Sequence, residues 1–249
     1  MHIDGGCHCG FITYEAEVDP EKVGICHCTD CQTLTGSAFR VTVQAPAVSF
    51  RLRLDPAALS RPQSYTLTID DTGITVLGSD EAGLFYGICT LSQLIRLHAP
   101  KSPPEPLTLP GLRMTDWPDF PHRGVLLDVS RDKVPTMETL FDLVDLLASW
   151  KINQVQLYME HTFAYRGHEV VWQHASALTG ADIEALAAVC RDRYVELVPN
   201  QNSFGHMHRW LVHEPYRPLA ECPDGFEHPW NWTGEPYGLC ASDPASLQF

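Results

Sequence analysis

The sequence predicts an α/β protein whose C-terminal half is made of parallel βα units. Apolar strand-like runs and amphipathic helices alternate between residues 125 and 199. A proline-rich stretch sets that half apart from a smaller unit, which passes from period-two to helical spacing near residue 80. Five cysteines are crowded into the first 31 residues, and only four more follow. Strands joined through helices must run parallel, so the C-terminal series reads as the opening of a βα barrel or of a doubly wound sheet.

Residues 1–48 hold Gly6-Cys7-His8-Cys9-Gly10 and Cys26-His27-Cys28-Thr29-Asp30-Cys31, among short β-like runs such as 11–15 and 39–43. Cys-x-Cys and Cys-x-x-Cys bring two sulfurs within reach of one ion, and zinc is the first expectation. Buried free thiols are the plainer alternative. Residues 49–98 form a small α+β unit: Ser64–Ile69 and Gly73–Leu77 alternate, after which Ala82, Phe85, Tyr86, Cys89, Leu91, Leu94 and Ile95 take helical spacing. Asp80-Glu81 stands at the head of that helix, as a partner for its positive end. Residues 99–121 carry seven prolines and form a linker, which neither continues a helix nor pairs in a central strand.

Residues 122–249 supply strands at 125–129, 155–159 and 195–199 and helices near 137–150 and 181–193. Thr136 caps the first helix and Thr179 the second, with Asp182 three residues on. Met137, Leu140, Phe141, Val144 and Leu147 form one stripe, so the first helix covers a sheet. A parallel strand in such a sheet is expected to bury both faces or to point into a barrel.

Composition excludes several classes. A formal charge of −14 over 249 residues argues against nucleic acid, which needs a basic surface. No apolar run approaches the roughly 20 residues of a membrane span. An odd total of nine cysteines is a poor disulfide framework, and together with an N-terminus unlike a signal peptide it suggests the cytoplasm. Oligomeric state is left open.

At the cysteine clusters the chain resembles the glutathione-dependent formaldehyde-activating family, through Gly6–Glu15, Cys26–Gln32 and Thr35–Phe39. The resemblance implies a zinc-binding β fold and carbon-sulfur lyase chemistry. Cys26, Cys28 and Cys31 would hold a zinc with an open position, and Cys7 and Cys9 would belong to a structural zinc whose later Cys-x-x-Cys pair has no counterpart here. From about residue 49 the chain resembles glycoside hydrolase family 20, the β-N-acetylhexosaminidases, through Tyr65–Ile69, Asp80–Gly87, Asp119–Arg131 and Phe204-Gly205-His206. That resemblance implies the N-terminal part of a (β/α)8 barrel, about three units of it, and an N-acetylhexosamine-containing glycan as substrate. Arg123 would clamp sugar hydroxyls at the bottom of the pocket, His206 would sit near the general acid, and Asp128 and Trp210 would add to the sugar site. Taken without the family, Arg123 could simply pair with Asp128, and His206, His208 and His213 could be loop histidines. Trp210, Trp230 and Trp232, with Tyr216 and Tyr237, could be core or a sugar-stacking wall.

The chain departs from the family pattern at Asn200, Gln201 and Asn202, where acidic residues are usual, and at Met159-Glu160-His161, where an Asp is usual. In the family, the substrate's own acetamido oxygen attacks the anomeric carbon, an Asp holds that amide and a Glu protonates the leaving oxygen. The Asp-Glu pair belongs to a fourth barrel strand, and the chain's one Asp-Glu dipeptide is Asp80-Glu81. Glu160 is the best-placed remaining carboxylate. The expectation is therefore a hexosaminidase lineage without turnover in these 249 residues. A zinc-dependent lyase and a non-catalytic zinc- or sugar-binding fusion are the alternatives.

Overall fold

The computed structural model describes residues 2–6, 13–17, 23–26, 40–43, 50–99, 108–131, 133–227 and 234–249, the first four stretches as backbone only. Those four stretches are strands. β1 (His2–Gly6) pairs antiparallel with β2 (Thr13–Glu17), and β3 (Val23–Cys26) with β4 (Arg40–Val43). Cys7, Cys9, Cys28 and Cys31, the side chain of Cys26, and Trp230 and Trp232 lie outside the described residues. The chain divides into two compact units, Met1–Trp117 and Pro118–Phe249.

In the first unit, β5 (Phe50–Leu54), β6 (Tyr65–Asp70), β7 (Gly73–Gly78) and β8 (Leu112–Asp116) form one sheet in the order β5-β7-β6-β8. Helix α1 (Glu81–His98) packs on it. Asp80 starts α1 and uses both carboxylate oxygens: Oδ1 accepts from the Gly83 amide at 2.7 Å and Oδ2 from the Gln63 amide at 2.7 Å. The head of the helix is thereby tied to the entry of β6. Close approach depends on two glycines one turn apart, because a Cβ at Gly83 would overlap the Ser64 carbonyl and one at Gly87 would overlap Val76. Tyr65, Leu67, Val76 and Tyr86 fill the space between helix and sheet.

The second unit contains β9 (Gly124–Asp128), α2 (Met137–Ser149), β10 (Gln154–Met159), α3 (Glu169–Trp172), α4 (Gly180–Arg191) and β11 (Glu196–Gln201). The three strands are parallel in the order β11-β10-β9. Thr136 caps α2, and Thr179 with Asp182 forms a reciprocal capping box on α4. The apolar stripe of α2 is buried at Leu140, Val144 and Leu147, each such side chain worth about 1.5–3 kcal/mol. Arg193 pairs with Asp145 of α2. Among the described residues no helix is long and apolar enough to cross a membrane.

Of the two alternatives expected for these strands, burial of both faces does not hold. Along β10, Val155, Leu157 and Met159 are buried while Gln154, Gln156 and Tyr158 are only partly so. The second face carries polar side chains that hydrogen-bond one another. Asn200 Nδ2 donates to Gln156 Oε1 and Gln156 Nε2 to Gln154 Oε1, both at 3.1 Å. Glu196, expected inside the sheet, is exposed and accepts from Gln154 Nε2 at 2.9 Å. After β11 come three short elements that periodicity does not mark: α5 (His208–Leu211), a 3-10 turn (Arg217–Leu219) and α6 (Pro244–Gln248).

Candidate functional site

The polar side chains of the second unit gather where β9, β10 and β11 end. Asp128 is the last residue of β9, and its Oδ1 accepts the amides of Ser130 and Arg131 at 2.9 and 3.1 Å. This turn sends the chain back across the strand end and sets Arg131 Nε 2.8 Å from Asp128 Oδ2. The Arg131 guanidinium lies 5.1 Å from the centre of the Tyr158 ring. It is 58% exposed, so part of its planar donor fork faces solvent.

Glu160 follows β10 and is only 2% exposed. Its amide, its carbonyl and Oε1 are each held. Its amide donates to Ser130 Oγ at 2.7 Å, and its carbonyl accepts from Trp210 Nε1 at 2.5 Å and Gln201 Nε2 at 3.0 Å. Its Oε1 accepts from the Tyr158 hydroxyl at 2.9 Å, with His206 Nδ1 at 3.4 Å and Arg131 Nε at 3.9 Å. A buried carboxylate requires such partners, because an uncompensated charge would be lost to protonation.

His206 sits in the left-handed backbone region at φ 55, which is rare for a side-chain-bearing residue. The Tyr237 hydroxyl lies 2.6 Å from its Nδ1, and the Tyr237 ring stacks on His208, centroids 5.7 Å apart and 7° from parallel. Burial and then the charge of Glu160 push the Tyr237 hydroxyl above its ordinary range. Burial and then the hydrogen bond to Glu160 do the same for Tyr158. Both phenols therefore remain donors. Burial pulls His161 and His208 below the ordinary imidazole range, so both are neutral at pH 7.

Of the residues expected from sequence, the structure brings together Asp128, Glu160 and His206, with Trp210 against the Glu160 carbonyl. Arg123 is not among them. It precedes β9, at the opposite end of the strand from Asp128, where Nε donates to the Lys151 carbonyl at 2.8 Å and Nη1 to the Phe120 carbonyl at 2.8 Å. Its amide donates to Asn153 Oδ1, whose side chain in turn donates to the Pro121 carbonyl. Nε and Nη1 of the planar fork are taken up by backbone carbonyls, and Arg131 provides a more exposed guanidinium at the other end. The sequence reading gave Arg131 and Tyr158 no role in the site, and it gave Tyr237 only a place in a possible sugar-stacking wall. Arg131 had a signal, because it follows the C-terminal end of a strand, where βα folds place their chemistry. Among the described residues, no group of three or more His, Cys, Asp or Glu could hold a metal ion.

A buried carboxylate, a phenol, an imidazole and an exposed guanidinium thus meet at the ends of β9 and β10. Residues 120–249 match the model of the glycosyl hydrolase family 20 catalytic domain, and residues 2–70 match that of the glutathione-dependent formaldehyde-activating enzyme, a zinc-associated family. The second match runs through β5 and β6. A beta-hexosaminidase of Porphyromonas gingivalis is 26% identical over 214 residues, which make up 79% of this chain and 27% of that protein. A solved glycoside hydrolase family 20 β-N-acetylglucosaminidase is 27% identical with a TM-score of 0.63, covering 80% of this chain and 45% of the other. The N-acetyl-β-hexosaminidase of Streptomyces plicatus is 23% identical with a TM-score of 0.65, over 80% of this chain and 42% of its own, and shows the shared fold. The second unit is thus a partial βα-barrel-like fold. The chain spans less than half the length of these relatives.

Proposed function

The chain belongs to glycosyl hydrolase family 20, and from that premise we propose that the Pro118–Phe249 unit recognises the terminal N-acetylhexosamine of a glycan at the cluster of Asp128, Arg131, Glu160 and His206. The observation that carries this reading is the placement of Arg131. Its guanidinium is exposed, aligned by Asp128 at 2.8 Å and backed by buried Glu160. A planar donor fork in that posture meets two adjacent sugar hydroxyls. Glu160 acts through its neighbours, fixing Tyr158 and His206 in orientation while it is itself screened from ligand.

Recognition is separable from hydrolysis. Protonating a glycosidic oxygen needs a carboxylic acid facing the bond, a contribution of roughly 10²- to 10⁴-fold. Asp128 is committed to Arg131 and to its own turn, Glu160 is buried among its donors, and Asp80-Glu81 is spent on the head of α1. The 249-residue chain is expected to bind N-acetylglucosamine without turning over a nitrophenyl N-acetylglucosaminide. Titration calorimetry with Arg131→Ala should show at least a tenfold loss of affinity, since a hydrogen bond to a charged group contributes about 1.5–3 kcal/mol. Unchanged affinity would remove the site from this face, and turnover above background that disappears in Glu160→Gln would make Glu160 the acid.

A second reading is favoured by the match over residues 2–70. Five closely spaced thiols suit a soft metal, with Cys26, Cys28 and Cys31 as zinc ligands and Cys7, Cys9 or water completing the set. When bound, zinc would supply Lewis-acid chemistry toward a thiol adduct. Metal analysis should give about one zinc per chain, because five thiolates do not fill two four-coordinate sites, and Cys28→Ser should lower it.

A further inference from the structure

The small sheet of the first unit ends on an open edge. β5 is the outermost strand of the β5-β7-β6-β8 sheet, and all five of its residues are exposed. The Asp55 amide donates to the Gly78 carbonyl at 3.0 Å, so by strand alternation the backbone groups of Arg51 and Arg53 face β7. The amides and carbonyls of Phe50, Leu52 and Leu54 then face outward, where they are a template for another strand.

The two faces of β5 specify what that strand must carry. The parallel register sets Phe50, Leu52 and Leu54 beside Ile74, Val76 and Gly78, on the face where Val76 belongs to the core. They are nevertheless 48%, 46% and 50% exposed, so α1 does not cover them. Arg51 and Arg53 stand on the other face, beside Thr75 and Leu77. A complementary strand therefore alternates apolar with acidic residues. A second copy of β5 does not meet that requirement. Laid antiparallel about Leu52, it would set Arg51 against Arg53 twice, like charges directly opposed.

The same compact unit contains a strand that does meet it. β2 reads Thr13-Tyr14-Glu15-Ala16-Glu17, in which acidic residues alternate with Tyr14 and Ala16. Among the described residues β2 pairs only with β1, and a two-stranded hairpin standing alone is marginal in water. When Ala16 is set across from Leu52, Glu15 and Glu17 fall across from the two arginines in either strand direction.

We propose that β2 pairs along the open edge of β5, so that the N-terminal hairpin completes the small sheet of the first unit. Backbone hydrogen bonds hold the strands together, and the two glutamate–arginine pairs fix their register. The cysteine-rich segment is thereby tied to the glycosidase-like part of the chain through a continuous sheet.

Amide hydrogen exchange followed by NMR on the 249-residue chain, with zinc supplied, tests the pairing. The Leu52 and Leu54 amides are expected to be protected to a degree independent of protein concentration. Glu15→Arg/Glu17→Arg should speed their exchange about tenfold, the size expected when two cross-strand pairs pass from attraction to repulsion. Arg51→Glu/Arg53→Glu should do the same. All four substitutions together should restore protection, because the pairs re-form with their signs exchanged, and this variant still decides the matter if either double variant fails to fold. Leu52 and Leu54 amides that exchange freely in the parent while those of Arg51 and Arg53 are slow overturn the proposal. Protection that grows with concentration also overturns it, by assigning the edge to a second copy, as does protection indifferent to the charge reversals.

Discussion

The two ends of the β9-β10-β11 sheet hold the same kind of side chain in opposite employment. At the entry, Arg123 is bound to the carbonyls of Phe120 and Lys151, and Asn153 fastens the adjoining chain. At the exit, Arg131 rests against Asp128 with part of its fork open to solvent, and the ring of Tyr158 lies beneath it. The difference lies in what surrounds each guanidinium. Backbone carbonyls at the entry have no strand to pair with, and an arginine satisfies them; at the exit, the Asp128 turn satisfies the local amides and leaves the arginine its donors. Arg123 thus serves the sheet, whereas Arg131 is left exposed at the other end.

The sharpest way to break this comparison is to truncate each arginine in turn. Arg131→Ala should lose at least tenfold in affinity for N-acetylglucosamine with little change in melting temperature, because a 58% exposed guanidinium contributes little to folding. Arg123→Ala should do the reverse. It strands carbonyls of the β9 entry and the α2–β10 turn, for a loss of about 2 kcal/mol in denaturant unfolding, and the folded fraction should bind sugar normally. Equal effects of the two variants on binding would erase the distinction between the ends.

Lowering the pH acts on two half-buried histidines at the exit end. His161 and His208 are depressed below the ordinary value near 6.5 chiefly by burial. Arg209 and His208 add to the depression at His161 and Glu160 opposes it; at His208, Arg209 and His206 add while Glu160 and Glu235 oppose. The unfolded chain therefore takes up protons first as pH falls. The stability due to these two groups is complete above about pH 6.5 and declines below it, toward their folded-state values. Melting temperature should fall between pH 7.5 and 5.5, and the fall should be smaller in a His161→Gln/His208→Gln variant. An identical decline in that variant would place the pH sensitivity elsewhere.

The smallest effect belongs to the entry end. Lys151 ends α2 in the left-handed region at φ 63, with its amide donating to the Ala148 carbonyl at 2.8 Å. Glycine adopts that backbone without steric cost, so Lys151→Gly should be neutral to stabilising by about 0.5 kcal/mol in urea unfolding, the lesson of a C-terminal helix cap.

Sequence was most legible where the governing contacts are local. Thr136, and Thr179 with Asp182, announce helices α2 and α4 because a cap and its amides lie within three residues. Asp80 was readable as the head of α1 for the same reason. The stripe of Leu140, Val144 and Leu147 gave the buried side of α2, since helical period and burial coincide. The site was legible only in part. Asp128, Glu160 and His206 could be named, but their meeting depends on the parallel register that sets Tyr158 opposite both Asp128 and Asn200. Tyr237 reaches His206 from 31 residues away, a separation no local pattern encodes.

By itself, then, the sequence determined the order of the three barrel-type strands and of α1, α2 and α4, and the capped starts of those helices, because hydrogen bonds a few residues long and a repeating apolar period fix them. Tertiary structure decided which arginine faces solvent and which is consumed by carbonyls. It also decided that Glu160 lies buried behind Arg131 and His206 rather than open to a ligand, and that Gln201 and Trp210 both donate to its carbonyl. Those outcomes depend on which groups the parallel register and the loops after β10 and β11 bring within hydrogen-bonding distance. Burial then favours the pairing of each group.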